Sequence, residues 1–384
     1  MSFGDLLVIV LAGLGGPLLA LNPRLFVPVT IGELAAGALV GRTGFGAVHP
    51  SDPTTAFLAS VGFAMLMLTV GVHLPLRDRR LLDSLRRGAL LASIVAVLAV
   101  PAGIAAAALA GTAHAAVYAV VLASGSAAVL LPAFEETRAG GREALAVIAQ
   151  VTIADVVTVV SVPIVLQPAR TGHALLGGAL VALAAAAVFG CARALAGRAW
   201  VERARALSKS RRWALDLRLA LLVLFLLAWL AERSGTSVLI AGFGAGVAVA
   251  LLGGPKRLST QIRGVADGFF VPLFFVLLGA QLDLGGLVRD PAMVALAGAL
   301  AALNVAIHVA AAVLGRVTPG AGLAACAQLG VPAAAASLGL AEGVLSPEVA
   351  TAIVAAAFVS LFLSAFGVQL LLGGEGRTAR TLRA

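Results

Sequence analysis

Apolar residues occur along this chain in runs of about 17 to 25 positions, the length of a helix crossing the hydrocarbon core of a bilayer, with Arg, Lys, Asp, Gly and Pro gathered between them. About thirteen such runs are predicted, at roughly 6–22, 26–42, 54–73, 88–110, 113–134, 143–166, 172–196, 214–232, 236–253, 265–283, 292–315, 320–342 and 346–373. The pattern predicts an all-α polytopic membrane protein.

The charges between the runs give a direction. An odd number of crossings puts the two ends on opposite sides, and Lys and Arg concentrate on the cytoplasmic side. With the predicted spans, all of the 27 basic residues except Arg42, Arg170, Arg233 and Arg289 fall on one side. They include Arg77, Arg79, Arg80, Arg86 and Arg87 after the third run, and Lys256, Arg257 and Arg263 after the ninth. The expected topology has the N-terminus outside and the C-terminus in the cytoplasm, in a cell (inner or plasma) membrane. The opening MSFGDLL carries an acid and no basic n-region, so the first run reads as a retained span instead of a cleaved leader.

Composition agrees with a bilayer and removes other classes. The 384-residue chain is 61% hydrophobic and 12% charged, with a mean hydropathy of +1.05. Its net charge of +9 lies in loops between apolar runs, which argues against nucleic acid as a partner. Cys191 and Cys326 fall within apolar runs and read as small buried residues, so neither a disulfide framework nor a cofactor is expected. With no nucleophile and base pair at the membrane face, the chain is not expected to be an enzyme. The loop RAWVERARALSKSRR, Arg198 to Arg212, reads as a basic amphipathic segment against anionic membrane lipid, and as the linker between two halves.

Polar residues inside the runs carry the candidate chemistry. Asp155 is the one ionisable side chain of AVIAQVTIADVVTVVSVPIVL. An Asp at a helix centre costs roughly 2.5 to 3.5 kcal/mol on insertion scales and marks ion or proton pathways. Thr152 and Thr158 lie three residues before and after it, which puts three oxygen-bearing side chains on one helical face. That face offers oxygen ligands to a hard cation, although each Thr hydroxyl also has its own backbone carbonyl one turn back.

In the fifth run, Gly125 between Ser124 and Ser126, with Pro132 beyond, predicts an interrupted helix. In the twelfth, Gln328, Gly330 and Pro332 predict another. Paired interruptions in two halves point to a transporter's site. Glu33 reads equally as a structural carboxylate and as a second proton site. Asn304 and His308 sit one turn apart, the imidazole either a packing residue or part of a proton pathway. His49, His73, His114 and His173 fall in loops or at a run's end, with no metal-site clustering.

Taken in order, these motifs resemble the monovalent cation:proton antiporter superfamily, in its sodium/hydrogen exchanger and Kef-type branch. VPVTIGELAAGALVGRTGFG is similar to the family's second span, ASGSAAVLLPAFEE to its first broken helix and VTIADVV to its ion-site helix. SGTSVLIAGFGAGV and GFFVPLFFVLLGAQLDL are similar to later spans, and the segment from Ala325 to Gly343 to the second broken helix. The resemblance implies inverted repeats with two crossed broken helices, spans 5 and 12. It also implies an ion-transport core at 88–166 and 292–373, and a homodimer built on panel helices at 6–73 and 172–283.

The family's ion-binding aspartate falls on Asp155, and its Thr-Ser pair on Gly125 and Ser126. Where the family often has Asp, Asn or Gln before the aspartate this chain has Ala154, and where many members have Lys it has Val305. The resulting expectation is exchange of Na+ or K+ for H+ at one aspartate, one for one and electroneutral. An ion-coupled carrier of an organic solute on the same fold is the alternative, a cation channel a weaker one.

Overall fold

The computed structural model describes residues 1–21, 29–50, 52–72, 79–127, 129–130, 134, 141–168, 171–253 and 256–381. Pro132, His73, Arg24, Arg77, Arg138, Arg170 and Arg383 lie outside them. Among the described residues every regular element is a helix. In chain order they are α1 (Phe3–Gly13), α2 (Gly15–Ala20), α3 (Val29–Val40), α4 (Pro53–Val72), α5 (Arg79–Ala110), α6 (Ala115–Ala123), α7 (Arg142–Leu166), α8 (Thr171–Leu195), α9 (Ala199–Ser210), α10 (Leu215–Arg233) and α11 (Val238–Leu252). There follow α12 (Lys256–Val265), which runs through a π-turn at Ala266–Phe270 into α13 (Val271–Gln281), then α14 (Leu284–Arg289), α15 (Pro291–Leu314), α16 (Pro319–Ala325), α17 (Gly330–Ala341) and α18 (Pro347–Thr381).

Helix starts follow from local chemistry. Ser2 and Asp5 form a reciprocal capping box at α1, Ser2 Oγ accepting from Asp5 N at 3.2 Å and Asp5 Oδ2 from Ser2 N at 2.6 Å. Asp290 caps α15 by accepting from Ala292 N at 2.9 Å, with Pro291 at the first helical position, where no amide is needed.

Nine helical stretches among the described residues are long and apolar enough to cross a membrane, or ten if α9 and α10 are counted as one bent span. The remaining predicted runs are helical but shorter. They are α3, α11 and the interrupted segment containing α6, whose second half lies partly outside the described residues.

The chain divides into two compact units. One holds residues Met1–Thr55, Asp78–Leu166 and Phe275–Ala384. Within it α5 packs on α6, α7 and α15, while α16 and α17 pack on α7 and on α18. Close approach is required where α5 crosses α7: a Cβ on Gly88 would lie 2.8 Å from the backbone nitrogen of Gln150, so only glycine fits. The other unit holds Ala56–Arg77 and Gln167–Phe274. In it α8, α10 and α11 pack on one another, and the rings of Phe63 and Phe274 stack with centroids 5.2 Å apart.

Candidate ion-binding site

The expensive carboxylate is enclosed. Asp155 lies in the middle of α7 and is 3% exposed. Its Oδ2 accepts the backbone N–H of Ala127 at 2.9 Å. Ala127 follows the predicted interruption: α6 stops at Ala123, Ser124 is extended, and the chain resumes helical turns after Ser126, whose carbonyl accepts from Val129 N at 3.3 Å and Leu130 N at 3.2 Å. The break therefore turns a free amide, at the positive end of a new helical segment, onto the buried carboxylate.

Two local features hold the break in place. Ser124 Oγ donates to the carbonyl of Val121 at 2.7 Å and closes the end of α6. Gly125 lies flat against α7 one turn before Asp155, where a Cβ would meet Val151 Cβ and Cγ1 at 2.8 Å. Ser126 is buried beside it, 3% exposed.

The two threonines flanking Asp155 are both buried and differ in bonding. Thr158 Oγ1 donates to the carbonyl of Ala154 at 2.6 Å, a bond along its own helix. Thr152 Oγ1 is buried with no hydrogen-bond partner. One hydroxyl on this face is taken and the other is free.

The second interruption, between α16 and α17, carries a polar bridge. Gln328 Nε2 donates to the carbonyl of Val121 at 2.6 Å and to Asn304 Oδ1 at 2.9 Å. Asn304 Nδ2 in turn donates to the carbonyl of Cys326 at 2.9 Å and to Ser360 Oγ at 2.9 Å. His308 Nδ1 lies 2.9 Å from the carbonyl of Asn304. The carbonyls freed at both breaks, Val121 of the first and Cys326 of the second, thus accept from side-chain amides, and one glutamine joins the breaks. Asn304, His308 and Gln328 come together here. Glu33 does not: it is buried on α3 where Gly16 of α2 approaches, and no described hydrogen bond links it to Asp155.

Two groups escape a side-chain reading of the sequence. Ser360 sits in the small-residue run AAAFVS of α18, and nothing in that run signals its partner. The Ala127 donor is a backbone group, visible only as the amide after an SGS interruption. Among the described residues no group of three or more His, Cys, Asp or Glu comes together, and the hydrogen bond described at the Asp155 carboxylate comes from the Ala127 backbone N–H.

A family described as "Sodium/hydrogen exchanger, transmembrane" matches residues 6–373. The chain belongs to this sodium/hydrogen exchanger family. It is also 26% identical over 306 residues to "Putative Na(+)/H(+) antiporter YjbQ" of Bacillus subtilis (strain 168), across 75% of this chain and 49% of that protein. The exchanger-family chain thus spans about half the length of that curated relative. Its fold is similar to that of the sodium proton antiporter MjNhaP1 from Methanocaldococcus jannaschii solved at pH 8, with a TM-score of 0.58 over 97% of this chain and 96% of the other, at 17% identity. The family lies within the monovalent cation:proton antiporter superfamily, a transporter family and not an enzyme family, so the chain is a multi-pass membrane protein.

Proposed function

We propose that this protein exchanges a monovalent cation, Na+ or K+, for protons by alternating access at Asp155. The observation that carries the reading is the enclosed Asp155 carboxylate, hydrogen-bonded to Ala127 N–H beside the unpartnered Thr152 hydroxyl. A desolvated carboxylate needs neutralising, and either a proton or a cation does so. Competition between them for one site couples the two flows with no further device. Thr152 and Ser126 complete the cation's oxygen ligands. Thr158 and Ser124, bonded along their own segments, shape the site without ligating.

The related names support this reading: a family described as sodium/hydrogen exchanger, and relatives named as sodium/proton antiporters. The same reading takes the thirteen predicted runs as crossings related by inverted repeats. It has the core at 88–166 and 292–373, and a homodimer formed through panel helices at 6–73 and 172–283. It orients the chain in the cell membrane with its N-terminus outside and its C-terminus in the cytoplasm.

The test is collapse of an imposed pH gradient in proteoliposomes, followed by a fluorescent pH indicator while Na+, K+, Li+ and Rb+ are added in turn. The wild-type chain should dissipate the gradient with Na+ or K+, and Asp155→Asn should not, while eluting as the same folded species. Exchange retained by Asp155→Asn would remove the residue from this role.

A further inference from the structure

The connection from Arg198 to Trp213 belongs to the other compact unit and takes no part in the ion chemistry above. It forms α9, bent by 111° from α10, the helix of the eighth predicted run. The corner is specified residue by residue. Arg212 and Ala214 hold positive φ of 56° and 52°, so the chain reverses within a few residues. Ser208, turned inward and 3% exposed, accepts Leu215 N at its Oγ and Trp213 N at its carbonyl, each at 3.0 Å. Arg205 Nε reaches Asp216 Oδ1 on α10 at 3.2 Å.

With α10 taken as the eighth predicted crossing, a helix bent by 111° from it runs closer to the membrane plane than to its normal. Its chemistry suits only the boundary. Trp200, Leu207 and Trp213 are 59%, 44% and 46% exposed, too apolar to face water together. At 100° per residue, Trp200, Ala204 and Leu207 share one edge of α9, with Arg203 beside it and Arg211 just past the helix's C-terminal end. Arg198, Arg203, Lys209, Arg211 and Arg212 are exposed, and Glu202 is the only acid in the stretch. The Arg211 guanidinium lies 5.7 Å over the Trp213 ring, stacked at the same edge. Exposed tryptophans beside unpaired cations, on a helix fixed across the direction of its span, match a headgroup layer of opposite charge.

We infer that Arg198 to Trp213 is an interfacial docking element for anionic phospholipid headgroups, with Trp200 and Leu207 seated in the acyl boundary and the arginines on the phosphates. The inference is independent of the ion proposed at Asp155. The chain has three tryptophans, so Trp229→Phe leaves Trp200 and Trp213 as the reporters. The full chain with that substitution is placed in vesicles holding brominated phosphatidylglycerol or brominated phosphatidylcholine at equal fraction, and tryptophan quenching is read. The anionic lipid should quench about twofold more strongly, and the preference should vanish at about 0.5 M salt. It should also vanish when Arg198, Arg203, Lys209 and Arg212 are changed to Gln, leaving the Arg205–Asp216 and Arg211–Trp213 pairs intact. Equal quenching by the two lipids in the parent protein, or a preference that survives both salt and charge removal, overturns the inference. Quenching by neither lipid overturns it too, because the helix would then face water or another protein. The salt series needs no substitution in α9 and so stands even if the four-fold variant folds poorly.

Discussion

Thr152 and Thr158 are equivalent in the sequence, each three residues from Asp155, and opposite in the structure. The Thr158 hydroxyl already has a carbonyl, whereas the Thr152 hydroxyl is buried without one. An unsatisfied buried hydroxyl is destabilising on its own, so Thr152→Val should leave the thermal midpoint unchanged or slightly raised. If the hydroxyl ligates the cation, the same change raises the apparent KM for Na+ or K+ by about 3- to 10-fold, the worth of one polar contact. Thr158→Val removes only a bond along its own helix and should leave KM within about twofold. Measuring cation-dependent gradient collapse for both variants decides between them, and equal effects would deny Thr152 its role. Asp155 itself was legible in the sequence, because a carboxylate is costly in an apolar helix and stands out against its neighbours. The difference between the threonines was not, since spacing sets the helix face and only side-chain rotamer sets which oxygen is free.

At the scale of elements, the two interruptions act as one unit through Gln328. Glycine, serine and proline placed both breaks in the sequence, because these residues leave backbone groups unmatched wherever they stop a helix. What the sequence could not convey is where the freed carbonyls find donors, since Val121, Asn304, Cys326, Gln328 and Ser360 belong to four separate stretches of chain. Gln328→Leu keeps the bulk and removes the amide donor, leaving Asn304 Oδ1 without its described partner in a buried site, while the Val121 carbonyl keeps only the donors of Ser124. A loss of about 1–2 kcal/mol is expected, within the range for hydrogen bonds inside membrane proteins. The purified variant should melt a few degrees lower, and its exchange rate should fall further than its stability alone would account for, because the turn presenting Ala127 N–H to Asp155 begins just beyond Val121. A variant that melts like the parent would show that the amide bridge contributes no stability.

For the whole molecule, the apolar runs were legible because length and hydropathy are properties of composition. The 111° turn at Trp213 was not, because it depends on two residues with positive φ that no pattern of hydrophobicity encodes. Charge is the global property with the sharpest consequence. Beside Asp155, the proposed site, stands Ala154, and the span carrying Val305 holds Asn304 and His308 and no Lys or Arg. The groups bridging the breaks are amides, neutral at every working pH. On the proposed reading, one carboxylate alternates between a proton and a monovalent cation, the loaded site carries the same charge in both directions, and the cycle is expected to move none across the membrane. Carrying one net charge through about 100 mV would be worth about 2.3 kcal/mol, a bias of roughly 50-fold in the exchange equilibrium. Vesicles with equal cation and proton concentrations on both sides, given a K+-independent voltage of that size, should therefore show no pH change, whichever sign is imposed. Proton movement that follows the sign of the voltage would require a second titrating group in the cycle, and Glu33 and His308 are the buried residues at which to seek it.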